Sequence, residues 1–116
     1  MHGVHQFPRQ MCVLEDLKNN SMLLVVNTHL YFHPRGSHVR LAQTQILLTE
    51  MEGVVEEMRK EYPGRTISYL FCADMNSYPS SGAIELIKSG KLAGNHTDWY
   101  SCKWVSMDIC LYVCGN

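Results

Sequence analysis

An α/β fold, with a β-hairpin leading into a strand-helix-strand crossover and helices on the outside, is predicted by three stretches of this sequence. Met22-Leu23-Leu24-Val25-Val26 and Thr66 to Ala73 are short apolar runs bounded by turn residues, the pattern of buried strands. Between them Leu47, Leu48, Met51, Val54, Val55 and Met58 recur at three- and four-residue intervals, while Glu52, Glu56, Glu57, Arg59 and Lys60 fill the other face. That spacing is an amphipathic helix packed on a sheet. A helical crossover of this length makes the two strands parallel, neighbours or one apart, with a right-handed connection.

Taken in order, Gln10 to Leu17 is a short apolar run and Lys18-Asn19-Asn20-Ser21 a turn, so the chain opens with a hairpin. Its second strand, residues 22 to 26, is apolar without interruption, which predicts a central strand buried on both faces. The helix is expected over Val39 to Glu61, with Ser37 as N-cap and the Leu41 to Leu48 stretch buried nearly all round. Tyr62-Pro63-Gly64-Arg65 ends it, because proline disfavours helix at the residue before it and glycine accepts the turn. Cys72, inside the next strand, is expected to be a small buried hydrophobe. A shorter helix over Ser81 to Ser89 should carry Ile84, Leu86 and Ile87 inward and stop at Gly90. The stretch from Asn95 to Tyr100 is polar and aromatic loop, and Val105, Met107, Ile109, Leu111 and Val113 alternate as a strand would. Trp99 and Trp104 are expected to be packing residues.

Composition narrows the function classes. The 116 residues suit one domain, and 46% hydrophobic content suits one compact core. Ten Lys+Arg against eleven Asp+Glu give a formal charge of −1, so any nucleic-acid binding must rest on a local patch. No apolar run approaches the roughly 18 residues of a membrane span, and the N-terminal residues carry no targeting signal. Cys12, Cys72, Cys102, Cys110 and Cys114 are odd in number and lack zinc-site spacing, which favours free thiols in a reducing compartment.

Chemistry concentrates at two strand ends. Asn27 and His29 follow the first parallel strand; Asp74 and Asn76 follow the second, and period two puts each pair on one side. Parallel strands end at the same sheet edge, where α/β sheets bind ligands. A carboxylate and an amide oxygen with an imidazole nearby suit Mg²⁺, which takes one or two protein carboxylates and leaves its other positions to water and phosphate. In a phosphodiesterase Asp74 could position or deprotonate the attacking water and His29 could donate to a phosphoryl oxygen. His33, Pro34, Arg35 and Arg40, in the only locally basic stretch, could bind substrate. Plainer roles stand beside these: Asp74 and Asn76 as turn formers, His29 bonded to a backbone carbonyl, the basic stretch as a solvated loop.

Asn27-Thr28-His29-Leu30, then Tyr31-Phe32-His33-Pro34-Arg35-Gly36 and Arg40-Leu41-Ala42-Gln43, then Cys72-Ala73-Asp74-Met75-Asn76-Ser77 with Pro79-Ser80-Ser81-Gly82, resemble the endonuclease/exonuclease/phosphatase superfamily in its deadenylase branch. The turn after Thr28-His29-Leu30 and the His96-x-Asp98-Trp99 cluster are similar to the 2',5'-phosphodiesterases of that branch. The match runs over about residues 10 to 100, leaving 102 to 116 as a divergent tail. The resemblance implies a two-sheet α/β sandwich with outer helices, of which this chain is a partial catalytic domain. It also implies Mg²⁺-dependent 3'-to-5' removal of nucleotides from 2',5'-oligoadenylate and poly(A) RNA. Asp74 would be the acid/base residue and, with Asn76, part of the metal site. His29 would contact the scissile phosphate, Pro34 the nucleobase, and Asn27 would orient the site. The implied compartment is the mitochondrial matrix, with the cytoplasm as alternative; no membrane contact and no obligate protein partner are expected.

Ala73 and Met75 stand where the family usually has glycine and phenylalanine, at positions that are not ligands. The family's upstream metal-binding glutamate and its downstream D-Y-(I/L) and S-D-H motifs do not occur in these 116 residues. The chain alone is therefore expected to be marginally folded and inactive, and a non-catalytic RNA- or protein-binding remnant is the alternative function.

Overall fold

The computed structural model describes residues 7–100. The strand expected around Val105 to Val113, Trp104, the divergent tail and Cys102, Cys110 and Cys114 lie outside them. Within them the order is β1 (Arg9–Asp16), β2 (Ser21–His29), α1 (Ser37–Glu61), β3 (Thr66–Asp74), α2 (Gly82–Ser89) and a short 3₁₀ helix (Thr97–Tyr100). One mixed sheet has the order β1-β2-β3, with β1 antiparallel and β3 parallel to β2. The α/β class, the hairpin and the βαβ crossover are as expected, and the strands of the crossover are direct neighbours. A second sheet is not among the described residues.

The hairpin turns where Asp16 gathers the backbone: its Oδ1 accepts from the amides of Lys18 and Asn19, and its Oδ2 from the Asn19 side chain. Asn20 completes the turn at φ 51°, a left-handed conformation asparagine tolerates. From there β2 alternates. Met22, Leu24, Val26 and Thr28 are buried, and Leu24 and Val26 are fully so. They meet Leu47, Met51 and Met58 of α1, with Leu30 and Phe7 closing the cluster and Ile67 and Phe71 of β3 at its border. β2 is thus central as predicted, but only one of its faces is fully buried; Leu23 and Val25 on the other are half-buried. On that other face Leu14 and Leu70 are exposed, and so are Cys12 and Cys72. The expectation of a buried Cys72 fails because it lies on the face away from α1.

Helix α1 starts two residues earlier than its apolar spacing suggests. Gly36, not Ser37, is its N-cap, and no side chain caps it. Glycine is needed there for space: a Cβ at Gly36 would lie 2.6 Å from the Tyr31 ring. The continuously buried stretch is Val39 to Thr44 rather than Leu41 to Leu48, since Gln45, Ile46 and Leu48 are only half-buried; Leu41 packs with Leu86, Leu92 and Trp99, and Val39 with Ala42. Trp99 is buried, in keeping with a packing role, and its indole N–H donates to the Ala93 carbonyl. Helix α2 starts one residue later than expected, with Ser81 as its N-cap, and stops as predicted at Gly90, φ 71°.

Polar ties hold the edges. Arg9 grips Glu50 of α1 through two 2.7 Å bonds, and its guanidinium lies 4.6 Å from the Phe7 ring centroid. Arg65, at the start of β3, pairs with Glu15 at the end of β1.

Two stability measurements follow from this packing. Leu24→Ala should lower the free energy of unfolding by about 2–5 kcal/mol, whereas Leu14→Ala on the open face should change it by no more than about 0.5 kcal/mol, read by urea denaturation. His38 supplies the second. Burial first, and the Arg40 charge next, hold its imidazole below the ordinary value of 6.5. A depressed histidine favours the folded state above its unfolded pKa, and that contribution fades as pH falls from about 7 toward the depressed value. Thermal midpoints should therefore drop on acidification through this window, and His38→Gln should make the drop shallower.

Candidate functional site

The carboxyl edge of the β2–β3 pair carries the site. In the parallel register Asn27 stands opposite Cys72 and His29 opposite Asp74, so all four project from the face away from α1. The ladder continues one step past the strands, where the Leu30 amide donates to the Asp74 carbonyl at 2.9 Å. His29 Nε2 lies 3.5 Å from Asp74 Oδ2, and both side chains are more than half exposed. A pair this open is worth little to stability, so its value is chemical: an imidazole and a carboxylate side by side, facing solvent.

Asn76 is built in by its backbone. It has φ 45°, its amide donates to Asp74 Oδ1 at 3.0 Å, and its Nδ2 donates to the Leu30 carbonyl at 2.7 Å. The side chain therefore ties the loop after β3 to the end of β2, and the amide fixes one carboxylate oxygen of Asp74. Asn27 is exposed on the same face, one register step back toward Gln10 on β1. His29 also borders a shallow apolar depression with Phe7, Pro8, Leu30, Tyr31, Phe32 and Gln43.

The basic loop divides. His33, Pro34 and Arg35 are exposed, with the Arg35 amide donating to His33 Nδ1. Arg40 is not at the surface. It is 5% exposed and its Nη1 donates to the carbonyls of Tyr31 at 3.1 Å and His33 at 2.6 Å, while Nη2 reaches Ser37 Oγ at 3.3 Å. The expectation that Arg40 faces a substrate is corrected here: it sits one turn into α1, in the buried stretch from Val39 to Thr44, and its guanidinium serves the loop backbone. Gln43, 1% exposed, does the same with Oε1, which accepts from the Tyr31 amide at 3.0 Å.

Two residues near the site were not singled out from sequence. Gln43 had a detectable signal, a polar side chain inside an apolar helical stretch three positions after Arg40. Phe32 had none beyond its neighbours, yet it is a large exposed aromatic beside His29.

For a metal, the oxygen donors suit Mg²⁺ in kind. Asp74 offers a solvent-facing carboxylate, and Asn76, whose nitrogen is spent on Leu30, keeps its amide oxygen for a cation. The set is sparse, since no group of three or more His, Cys, Asp or Glu able to hold a metal occurs among the described residues. No helix among them is long and apolar enough to cross a membrane.

No protein-family model matches the chain. Curated proteins do. Over 93 residues it is 40% identical to 2',5'-phosphodiesterase 12 of Mus musculus, with 79% of this chain and 14% of that protein covered. The Homo sapiens protein of the same name is 39% identical over 93 residues with the same shares. CCR4-NOT transcription complex subunit 6-like-B of Xenopus laevis is 33% identical over 89 residues, 72% of this chain and 16% of that protein. The chain thus spans only a small part of the length of the relatives it matches. With two such groups of relatives each matching more than two thirds of it, the chain belongs to the endonuclease/exonuclease/phosphatase superfamily, in its deadenylase branch.

Proposed function

We propose that this chain carries the Asp74 half of a Mg²⁺-dependent phosphodiesterase site that removes nucleotides 3'-to-5' from 2',5'-oligoadenylate or poly(A) RNA. The observation that carries the reading is the facing of His29 and Asp74 across a parallel ladder, with Asn76 locked beside them. The similarity to 2',5'-phosphodiesterase 12 and to a CCR4-NOT subunit supports the substrate class. By the same resemblance the compartment proposed is the mitochondrial matrix.

On this reading Asp74 and the Asn76 amide oxygen would hold the ion, which would supply neutralisation of the phosphate charge. Asp74 Oδ1 is oriented by the Asn76 amide, while Oδ2, which faces His29 Nε2, is the oxygen placed to accept a proton from water. His29, an arm's length away, donates to a phosphoryl oxygen. Asn27 orients the phosphate from the strand end. The exposed His33-Pro34-Arg35 turn receives the nucleobase and the neighbouring phosphate, and Pro34 offers a flat apolar surface that costs no side-chain entropy.

The sparse donor set favours a second reading, a non-catalytic RNA-binding module using Arg35. Titration separates the two. Under the enzyme reading, Mg²⁺ affinity measured by calorimetry falls at least tenfold in Asp74→Asn. Salt-sensitive RNA binding that ignores both Mg²⁺ and that substitution would favour the module instead.

Catalytic competence has its own measurement. A full-length relative carrying residues 22 to 82 of this chain should keep Mg²⁺-dependent nuclease activity, and Asp74→Ala in that graft should reduce turnover by about 10²–10⁴-fold. An inactive but folded graft would count against the assignment. Asn76→Gly preserves the left-handed backbone while removing the amide, so in the same graft it should raise the Mg²⁺ requirement without unfolding the protein.

A further inference from the structure

Two loops carry the site, residues 30–36 after β2 and 75–81 after β3, and each is fastened by a charged side chain. Arg40 holds the first loop by two carbonyls, Tyr31 and His33, and by Ser37 Oγ. The His33 carbonyl also accepts from the Gly36 amide, so the turn around Pro34 closes on an atom that Arg40 grips. Burial lowers the Arg40 pKa, and the charge of Asp98 opposes that effect. Asp98 in turn fastens the second loop, because its Oδ2 accepts from the Gly82 amide at 2.7 Å, at the first residue of α2. The fit is tight: a Cβ at Gly82 would lie 3.1 Å from that oxygen and 3.0 Å from Leu92. His96 backs Asp98 by accepting its amide on Nδ1, while its Nε2 lies 3.7 Å from Glu85 of α2.

A buried guanidinium must spend its donors on close acceptors, and charge-assisted bonds hold a carbonyl more firmly than neutral ones. From this we propose that Arg40 is a positioning residue. Arg40 forms a clasp on the His33-Pro34 turn through the Tyr31 and His33 carbonyls, Asp98 separately fastens the loop after Asp74 at the Gly82 amide, and Arg40 does not touch substrate. The clasp sets the shape of the nucleobase-facing turn, and to that extent the inference rests on the proposed function.

The test uses the full 116-residue chain with Arg40→Met, Arg40→Lys and Asp98→Asn. In hydrogen exchange, amides of residues 30–36 should exchange at least about tenfold faster in Arg40→Met, with amides of 22–26 and 67–72 unchanged. Arg40→Lys, which keeps the charge and loses the fork, should fall between. Asp98→Asn should loosen residues 80–83 more than residues 30–36. If Arg40→Met fails to fold, the Lys and Asn variants still decide the matter, and unchanged exchange in both loops overturns the clasp.

A second readout is binding of a fluorescent oligoadenylate across a salt series. Arg40→Met should weaken binding about tenfold while leaving the slope of log affinity against log salt unchanged, whereas Arg35→Ala should lower that slope by about 0.7. A slope change of that size in Arg40→Met would mean a direct phosphate contact and overturn the proposal. Should the wild-type chain bind no oligoadenylate, the functional reading fails, and the exchange measurement still decides whether the clasp exists.

Discussion

The parallel pairing of β2 with β3 is the constraint on which the site depends. Side chains alternate with a period of two, so a slip of one residue would turn Asp74 toward α1 and leave His29 without its neighbour. What forbids the slip is apolar rather than catalytic. Leu24 and Val26 are fully buried against α1, and Ile67 and Phe71 border the same cluster. Shifting either strand would put these side chains in water and polar ones under the helix. The distance between an imidazole and a carboxylate at the sheet edge is thus set several residues earlier, by leucine and valine.

The site itself divides into exposed groups with chemistry and buried groups without it. His29, Asp74, Asn27 and the His33-Pro34-Arg35 turn face solvent, while Arg40, Gln43 and Thr28 hold their backbones from beneath. Thr28 shows the division within one strand: its hydroxyl donates to the Pro8 carbonyl, securing the segment before β1, while its neighbours on either side point outward. Hydrogen bonds made from inside cost the exposed groups no freedom to meet a ligand.

Much of this was legible in the residues. The hairpin, the long helix, the crossover and the stop of α2 at Gly90 follow from periodicity and from turn chemistry, which are local properties. The pairing of the two strand-end motifs was legible too, since connection length and handedness leave few topologies. What the sequence could not show was depth. Arg40 looks like a surface cation because His33 and Arg35 of the same basic stretch are exposed, yet its guanidinium is buried against the carbonyls of Tyr31 and His33. Cys72 erred in the opposite direction, since an apolar run says that a strand is buried without saying which face is covered. The left-handed Asn76 was hidden for another reason: asparagine permits that conformation without demanding it.

Cys72 also gives the open face a chemical reporter. It lies two residues before Asp74 on the same face and beside Asn27 in the register, while Cys12 sits opposite Val25 on the outer strand of that face. Both thiols are exposed. A small alkylating reagent therefore reads two points on one surface, one next to the carboxylate and one a strand away from β2. Their relative labelling rates distinguish a ligand resting at the sheet edge, which shields Cys72 alone, from any larger body covering the whole face, which silences both.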